Sequence, residues 1–406
     1  MPPTKNELIL AAIVLMTIPV IAEVVLRLAH VQFEPQFYTA DRQIGWAFRP
    51  GAEGMFTGET RQYVQINSHG FRDASRSYEK PPNSFRIAVL GNSWTEALQV
   101  PLDKTYCSLL ERKLTGLRCF VGKSVEVLNF GVSGYSTAQE LLLLRQEVWK
   151  YHPNLVIVAF YSARDVANNV RQLNNAGDPD QSPYFVYRGD RLALDDSFRN
   201  LPAVQERQIK LQRLRGMVNE HVLVLQAVNT LVRYGRTRMA MAAVPERGRK
   251  TGADSLEHAI YAPPTLPALQ EGWHVTEGLL VAMRDEARAH GAELRIVTLA
   301  NRPQVIPDPK KRLEFVHALG VADLSYADER INALGKREGI TVINLAPALS
   351  EYAETHRVFL NGFDESNLGE GHWNVTGHQV AAEAIADNLC GTATISARLE
   401  AGGASR

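Results

Sequence analysis

Apolar positions fall into two kinds of run. One kind is short, nearly continuous and rich in β-branched residues, at 85–90, 125–130, 155–160, 293–299 and 341–345. Runs of this length with no polar alternation predict strands covered on both faces of a sheet. The other kind repeats every three or four residues, around 106–114, 138–149, 275–290 and 324–338, and again where Val380, Ala381, Ala384 and Ile385 would share one helix face. Ser325 and Thr376 stand where N-caps belong. Strand and helix alternate, which predicts a parallel sheet with helices on both faces.

Other stretches break this rhythm. From 30 to 81, Trp46, Phe48, Phe56, Tyr63, Val64 and Ile66 are interleaved with Gly, Pro and polar residues, as in short strands and turns packed on a neighbour. Residues 79–82 read as a linker. Residues 172–196 read as a polar loop holding a short strand at 184–187, and 205–236 as helix. The basic, glycine-bearing stretch 245–254 reads as mobile, and no internal repeat is visible. Arg236 and Arg238 before that stretch, with Arg247, Arg249 and Lys250 within it, suit either an anionic partner or a solvated loop. The expected organisation is a membrane anchor at 1–30, a β-rich extension at 31–82, a main domain at 83–395 with an insertion at about 172–274, and a disordered tail at 396–406.

The chain has 406 residues, with 44 Lys and Arg balancing 44 Asp and Glu. That balance argues against bulk attraction to nucleic acid, and no nucleic-acid partner is expected. Three cysteines, Cys107, Cys119 and Cys390, form no metal-ligand pattern. One disulfide plus a free thiol, or three buried thiols, both fit. The apolar run 8–28 reaches the roughly 20 residues that cross a bilayer. Glu23 and Arg27 are spaced to pair along one helix face near its end. The expected arrangement is an uncleaved single-pass anchor with the bulk of the chain on the extracytoplasmic side. A signal peptide processed near Val20-Ile21-Ala22, or an interfacial helix, is the alternative.

Chemistry-bearing residues collect at the carboxyl ends of the predicted strands, where open α/β sheets place their sites. Ser93 follows the first strand in Gly91-Asn92-Ser93-Trp94, and Ser133-Gly134 follows the second. Arg164-Asp165 follows the third, and Glu370 and His372 lie in the last long loop. By residue type, Ser93 supplies a nucleophile, His372 a base and Glu370 an acid to orient it. Asp364 is a weaker stand-in for Glu370. His378 reads as a helix-surface or helix-start residue and Asp165 as structural, while Trp94 and Trp373 suit an acyl pocket or the core equally. The histidines are scattered and no Lys-Ser/Thr follows the glycines, so no metal or other cofactor is expected.

These segments resemble the blocks of the SGNH (GDSL-type) esterases and acyltransferases, over most of 85–389. Gly91-Asn92-Ser93-Trp94 is similar to the first block, 129–134 to the second, and Glu370-Gly371-His372-Trp373-Asn374 to the last. The resemblance implies a flavodoxin-like three-layer α/β/α fold, a catalytic Ser93 and His372, and an oxyanion hole from the N–H groups of Ser93 and Gly134. Three departures stand out. Asn92 replaces the usual Asp, and Glu370 replaces the Asp before the His, leaving a Ser-His dyad open. Arg164 replaces the oxyanion Asn. The resemblance implies an acyl ester as substrate, such as an O-acetylated glycan of a cell envelope. The expected activity is ester hydrolysis through an acyl-enzyme. The alternatives are an O-acetyltransferase with the same first half-reaction, or a silent fold that binds carbohydrate or a partner.

Overall fold

The computed structural model describes residues 4–31, 33–117, 119–120, 122–174, 179–243, 253–364 and 367–403. Its centre is a five-stranded sheet built from β5 (Ser84–Gly91), β6 (Ser124–Gly131), β7 (Leu155–Phe160), β10 (Glu293–Thr298) and β11 (Thr341–Asn344), in the order β11-β10-β7-β5-β6. Every adjacent pair is parallel. Successive residues of a strand face opposite sides. Because Ile87, Ala88, Val89 and Leu90 all have 0% exposure, both faces of the sheet are covered. On one side the helices Tyr106–Leu117 and Val375–Gly403 pack together; the helices Thr137–Gln146, Ser162–Asn168 and Pro267–Ala289 form a second group. This is the flavodoxin-like order, with its reversal at β5, between β6 and β7. A crevice at the carboxyl end of β5 therefore follows from topology, and Ser93 sits there.

The extension forms hairpins β1 (Tyr38–Asp41) with β2 (Gly45–Phe48), and β3 (Glu53–Phe56) with β4 (Gln62–Gln65). The short strand expected at 184–187 is β8 (Tyr184–Arg188), paired with β9 (Arg191–Asp195). The helix expected at 205–236 is broken into Glu206–His221 and Leu223–Ala243, with Val222 extended between them. The amide freed at the break is satisfied from elsewhere: Val224 N–H donates to Glu23 Oε2 at 2.9 Å.

Glu23 belongs to the helix Lys5–Leu28, which covers the apolar run. Among the described residues, no helix is long and apolar enough to cross a membrane. Thr17 and Pro19 lie within the run, and two charged side chains near its end bond to the protein. Glu23 pairs with Arg27 at 2.6 Å, as the spacing predicts, and Arg27 Nη2 donates to the His221 carbonyl at 2.7 Å. Leu8, Leu10, Ile13, Met16, Ile18, Val20 and Ile21 remain exposed.

Cap details differ from expectation. Asn374, not Thr376, opens the final helix, its Oδ1 accepting from Gly377 N–H at 3.1 Å. Ser325 precedes its helix but spends its hydroxyl on Asp323 and Glu329. The final helix runs into the segment expected as a tail, while residues 245–252 of the basic stretch and 404–406 lie outside the described residues. Cys119 and Cys390 form a disulfide and Cys107 is a buried free thiol, which resolves the cysteine alternatives.

The helix Ser93–Glu96 crosses directly over the end of β6. A Cβ at Gly131 would lie 2.3 Å from Glu96 N and 2.6 Å from Thr95 C, both backbone atoms. Gly131→Ala is therefore expected to destabilise the fold by about 2 kcal/mol or more, the scale of overpacking a tight core. Thermal or urea unfolding measures this, and an unchanged midpoint would contradict the close approach.

Candidate active site

Three hydrogen-bonded devices fix the backbone around Ser93. Asn92 Oδ1 accepts Trp94 N–H at 3.2 Å, while Asn92 Nδ2 donates to Asp165 Oδ1 at 2.9 Å. Asp165 in turn accepts Tyr161 N–H at 2.7 Å, so its role is structural, as its position suggested. Burial pushes the Asp165 carboxyl up to about 7. An Asp at position 92 would set a second carboxyl against this one, whereas the Asn amide donates; the departure is locally self-consistent. From β6, Asn129 Nδ2 donates to Thr95 O at 2.8 Å, holding the short helix against the sheet. Glu96 accepts from Tyr38 Oη at 2.6 Å and also from Ser133 N–H. Burial pushes Glu96 up to about 7 against those bonds. It ties the extension, the Ser93 helix and the loop carrying Gly134 to one carboxyl.

His372 reaches Ser93, its Nε2 lying 2.8 Å from Ser93 Oγ across 279 positions of sequence. Trp94 lies beside the imidazole, ring centroids 5.0 Å apart. The carboxylate against the imidazole is not Glu370. Glu370 is 68% exposed and pairs with Arg302, pointing away from the imidazole. His372 Nδ1 instead contacts Glu59 Oε1, and Glu59 Oε2 accepts His372 N–H at 2.8 Å. Glu59 comes from the turn between β3 and β4, in the extension. Burial raises its carboxyl, but the hydrogen bonds and charge of His372 outweigh this and hold it below the usual range. Asp364 takes no part in this chain of contacts.

Gly371 makes the approach of Glu59 possible. Its φ is +67°, and a Cβ there would lie 2.2 Å from Glu59 Oε2. A glycine between Glu370 and His372 was visible in the sequence. Nothing in the sequence told which distant carboxylate would occupy the space it leaves.

Ser93, Ser133, Gly134, Trp94, Arg164, Asn168 and His372 all line one cavity of about 340 Å³. The N–H groups of Ser93 and Gly134 donate to no protein acceptor among the described residues, so both remain available to a bound oxygen. Arg164, expected as a third oxyanion donor, is engaged elsewhere: its Nη2 lies 2.7 Å from Glu257 Oε1. One helical turn further along the same helix is Asn168, which sequence reasoning passed over. It is 2% exposed, and its Oδ1 has no hydrogen-bond partner. Oδ1 can only accept; Nδ2 of the same side chain is the atom able to donate to a ligand oxygen. The i, i+4 spacing from Arg164 was the available signal.

Trp373 is fully buried and belongs to the core, whereas Trp94 lines the cavity. His378 is not a surface residue. It is 1% exposed, its Nδ1 accepts Tyr106 N–H at 3.3 Å, and burial beside Arg72 pushes the ring down to about 3, so it stays neutral. Among the described residues, no group of three or more His, Cys, Asp or Glu is placed to hold a metal.

No family model and no curated protein matches the chain. Solved structures do. LAE5, an α/β hydrolase enzyme from the metagenome of Lake Arreo, Spain, matches at 12% identity and TM-score 0.36, over 77% of this chain and 97% of that one. The acetyl xylan esterase AlAXEase matches at 12% and 0.36, over 74% and 98%. A catalytic mutant of Axe2, an acetylxylan esterase from Geobacillus stearothermophilus, matches at 11% and 0.37, over 77% and 96%. These superpositions are loose.

The contact pattern separates the two glutamates by experiment. Glu59→Gln is expected to slow the reaction of Ser93 with a fluorophosphonate by about a hundredfold or more, since the wrong imidazole tautomer is then favoured. Glu370→Gln is expected to stay within about threefold of wild type. The reverse order of effects would move the acid back to Glu370.

Proposed function

We propose that the chain is a serine esterase acting on acyl esters through an acyl-enzyme. The observation that carries this reading is the continuous contact chain from Glu59 through His372 to Ser93 Oγ, opening on a cavity with two uncommitted backbone N–H groups. In this mechanism Ser93 Oγ attacks the acyl carbon while its proton passes to His372 Nε2. Glu59 holds the ring with Nδ1 protonated and stabilises the imidazolium. The N–H groups of Ser93 and Gly134 stabilise the oxyanion, and the side-chain NH2 of Asn168, on the cavity wall, is the candidate for a third donor. His372 then gives its proton to the leaving alkoxide. Water attacks the acyl-enzyme, its proton passing to Nε2 and on to Ser93 as the acid departs. A short acyl group such as acetyl suits the modest cavity.

We also place the chain outside the cytoplasm. The Cys119–Cys390 bond supports an oxidising compartment. The exposed apolar side chains of Lys5–Leu28 support contact with a membrane surface, the interfacial alternative raised by the sequence.

Hydrolysis of an aryl acetate and labelling by a fluorophosphonate test the reading together. Wild type is expected to do both and Ser93→Ala neither. Asn168→Ala is expected to lose about a hundredfold in kcat, the scale of one oxyanion donor. Equal turnover by wild type and Ser93→Ala would remove Ser93 as nucleophile.

A further inference from the structure

The mouth of the Ser93 cavity is built from opposite charges drawn from separate parts of the chain. Arg164 comes from the helix after β7, Arg302 from the segment after β10, and Glu257 from the insertion helix Ala253–His258. One carboxylate bridges both guanidiniums: Glu257 Oε1 lies 2.7 Å from Arg164 Nη2, and Oε2 lies 3.2 Å from Arg302 Nη2. Arg302 also holds the exposed Glu370. Glu257, Arg302 and Tyr161 line the Ser93 cavity and also a second cavity of about 430 Å³ beside it. The bridge therefore stands at the junction of a longer cleft, beside the place where an ester would react.

Two planar guanidiniums gripping the two oxygens of one carboxylate form a carboxylate receptor that is occupied by a side chain of the protein. We propose that the ester taken by this site carries a carboxylate next to its acylated part, as a uronic-acid sugar does, and that Arg164 and Arg302 bind it in place of Glu257. This rests on the esterase reading and names its substrate class.

The energetics fit an exchangeable clamp. Arg164 and Arg302 are balanced by Glu257 and Glu370, so the resting cluster carries no uncompensated charge. A substrate carboxylate replaces a like group, and the exchange leaves the arginines paired throughout. Removing the negative charge of Glu257 leaves the pair in need of an anion, so affinity for an anionic ligand should rise. Removing Arg302 should erase the discrimination between charged and neutral ligands.

The test is calorimetric and needs no turnover. Ser93→Ala protein, full chain, is titrated with a short O-acetylated oligogalacturonate, with its methyl-esterified form, and with 3-(4-acetoxyphenyl)propanoate against its methyl ester. The charged member of either pair is expected to bind about tenfold tighter or more, and the preference is expected to shrink at high salt. Glu257→Gln should widen the preference several-fold. Arg302→Gln should abolish it, and Arg302→Lys, which keeps the charge without the fork, should restore part of it. A preference in the sugar pair alone identifies an acidic glycan, and one in the aryl pair alone a small carboxylic ester. Equal binding of charged and methylated forms, no binding of any, or a preference that survives Arg302→Gln overturns the inference. If the preference stands while wild type and Ser93→Ala turn over aryl acetate equally, the esterase reading falls and the carboxylate site remains. If turnover depends on Ser93 but no preference appears, only the carboxylate site falls.

Discussion

His372 is held on both sides of its ring by residues that sequence separates widely: Ser93 Oγ at Nε2 and Glu59 Oε1 at Nδ1. For this to hold, three independent structures must meet at one point. The sheet must present the turn after β5, the final loop must deliver the imidazole, and the extension must lay its β3–β4 turn across the rim. Glu59 also accepts the backbone N–H of His372, so one carboxylate fixes both the loop and the ring. The extension is thus a working part of the site as well as a covering for the domain.

Buried polar groups supply the rigidity this meeting requires. Glu96, fully enclosed, takes bonds from Tyr38 of the extension and from Ser133 before Gly134. Arg72, 2% exposed, donates to the carbonyls of Glu96, Ala97 and Val100 and stiffens the chain that follows Ser93. Buried groups of this kind are costly unless satisfied, and once satisfied they allow few other arrangements. The same accounting marks Asn168. Its side-chain oxygen has no hydrogen-bond partner.

Arg164, on the cavity wall, extends its long guanidinium arm to the rim. There it meets Glu257, contributed by the insertion. The charge of this cavity is gathered at its entrance in the Arg164–Glu257–Arg302 bridge, apart from the neutral Asn168 on its wall.

Strand positions, helix faces and the clustering of Ser93, Gly134 and His372 at one sheet edge were legible in the sequence, because hydrophobic periodicity and glycine turns are local signals that report burial directly. The Glu23–Arg27 pair was legible for the same reason, being one helical turn long. The partner of His372, the engagement of Arg164 and the burial of His378 were not. Each depends on which side chains arrive from remote segments to share a space, and a sequence records no distances between them. Gly371 shows the division within one residue: the chain displayed a glycine between Glu370 and His372, and only the folded molecule showed that Glu59 occupies the room its missing side chain leaves.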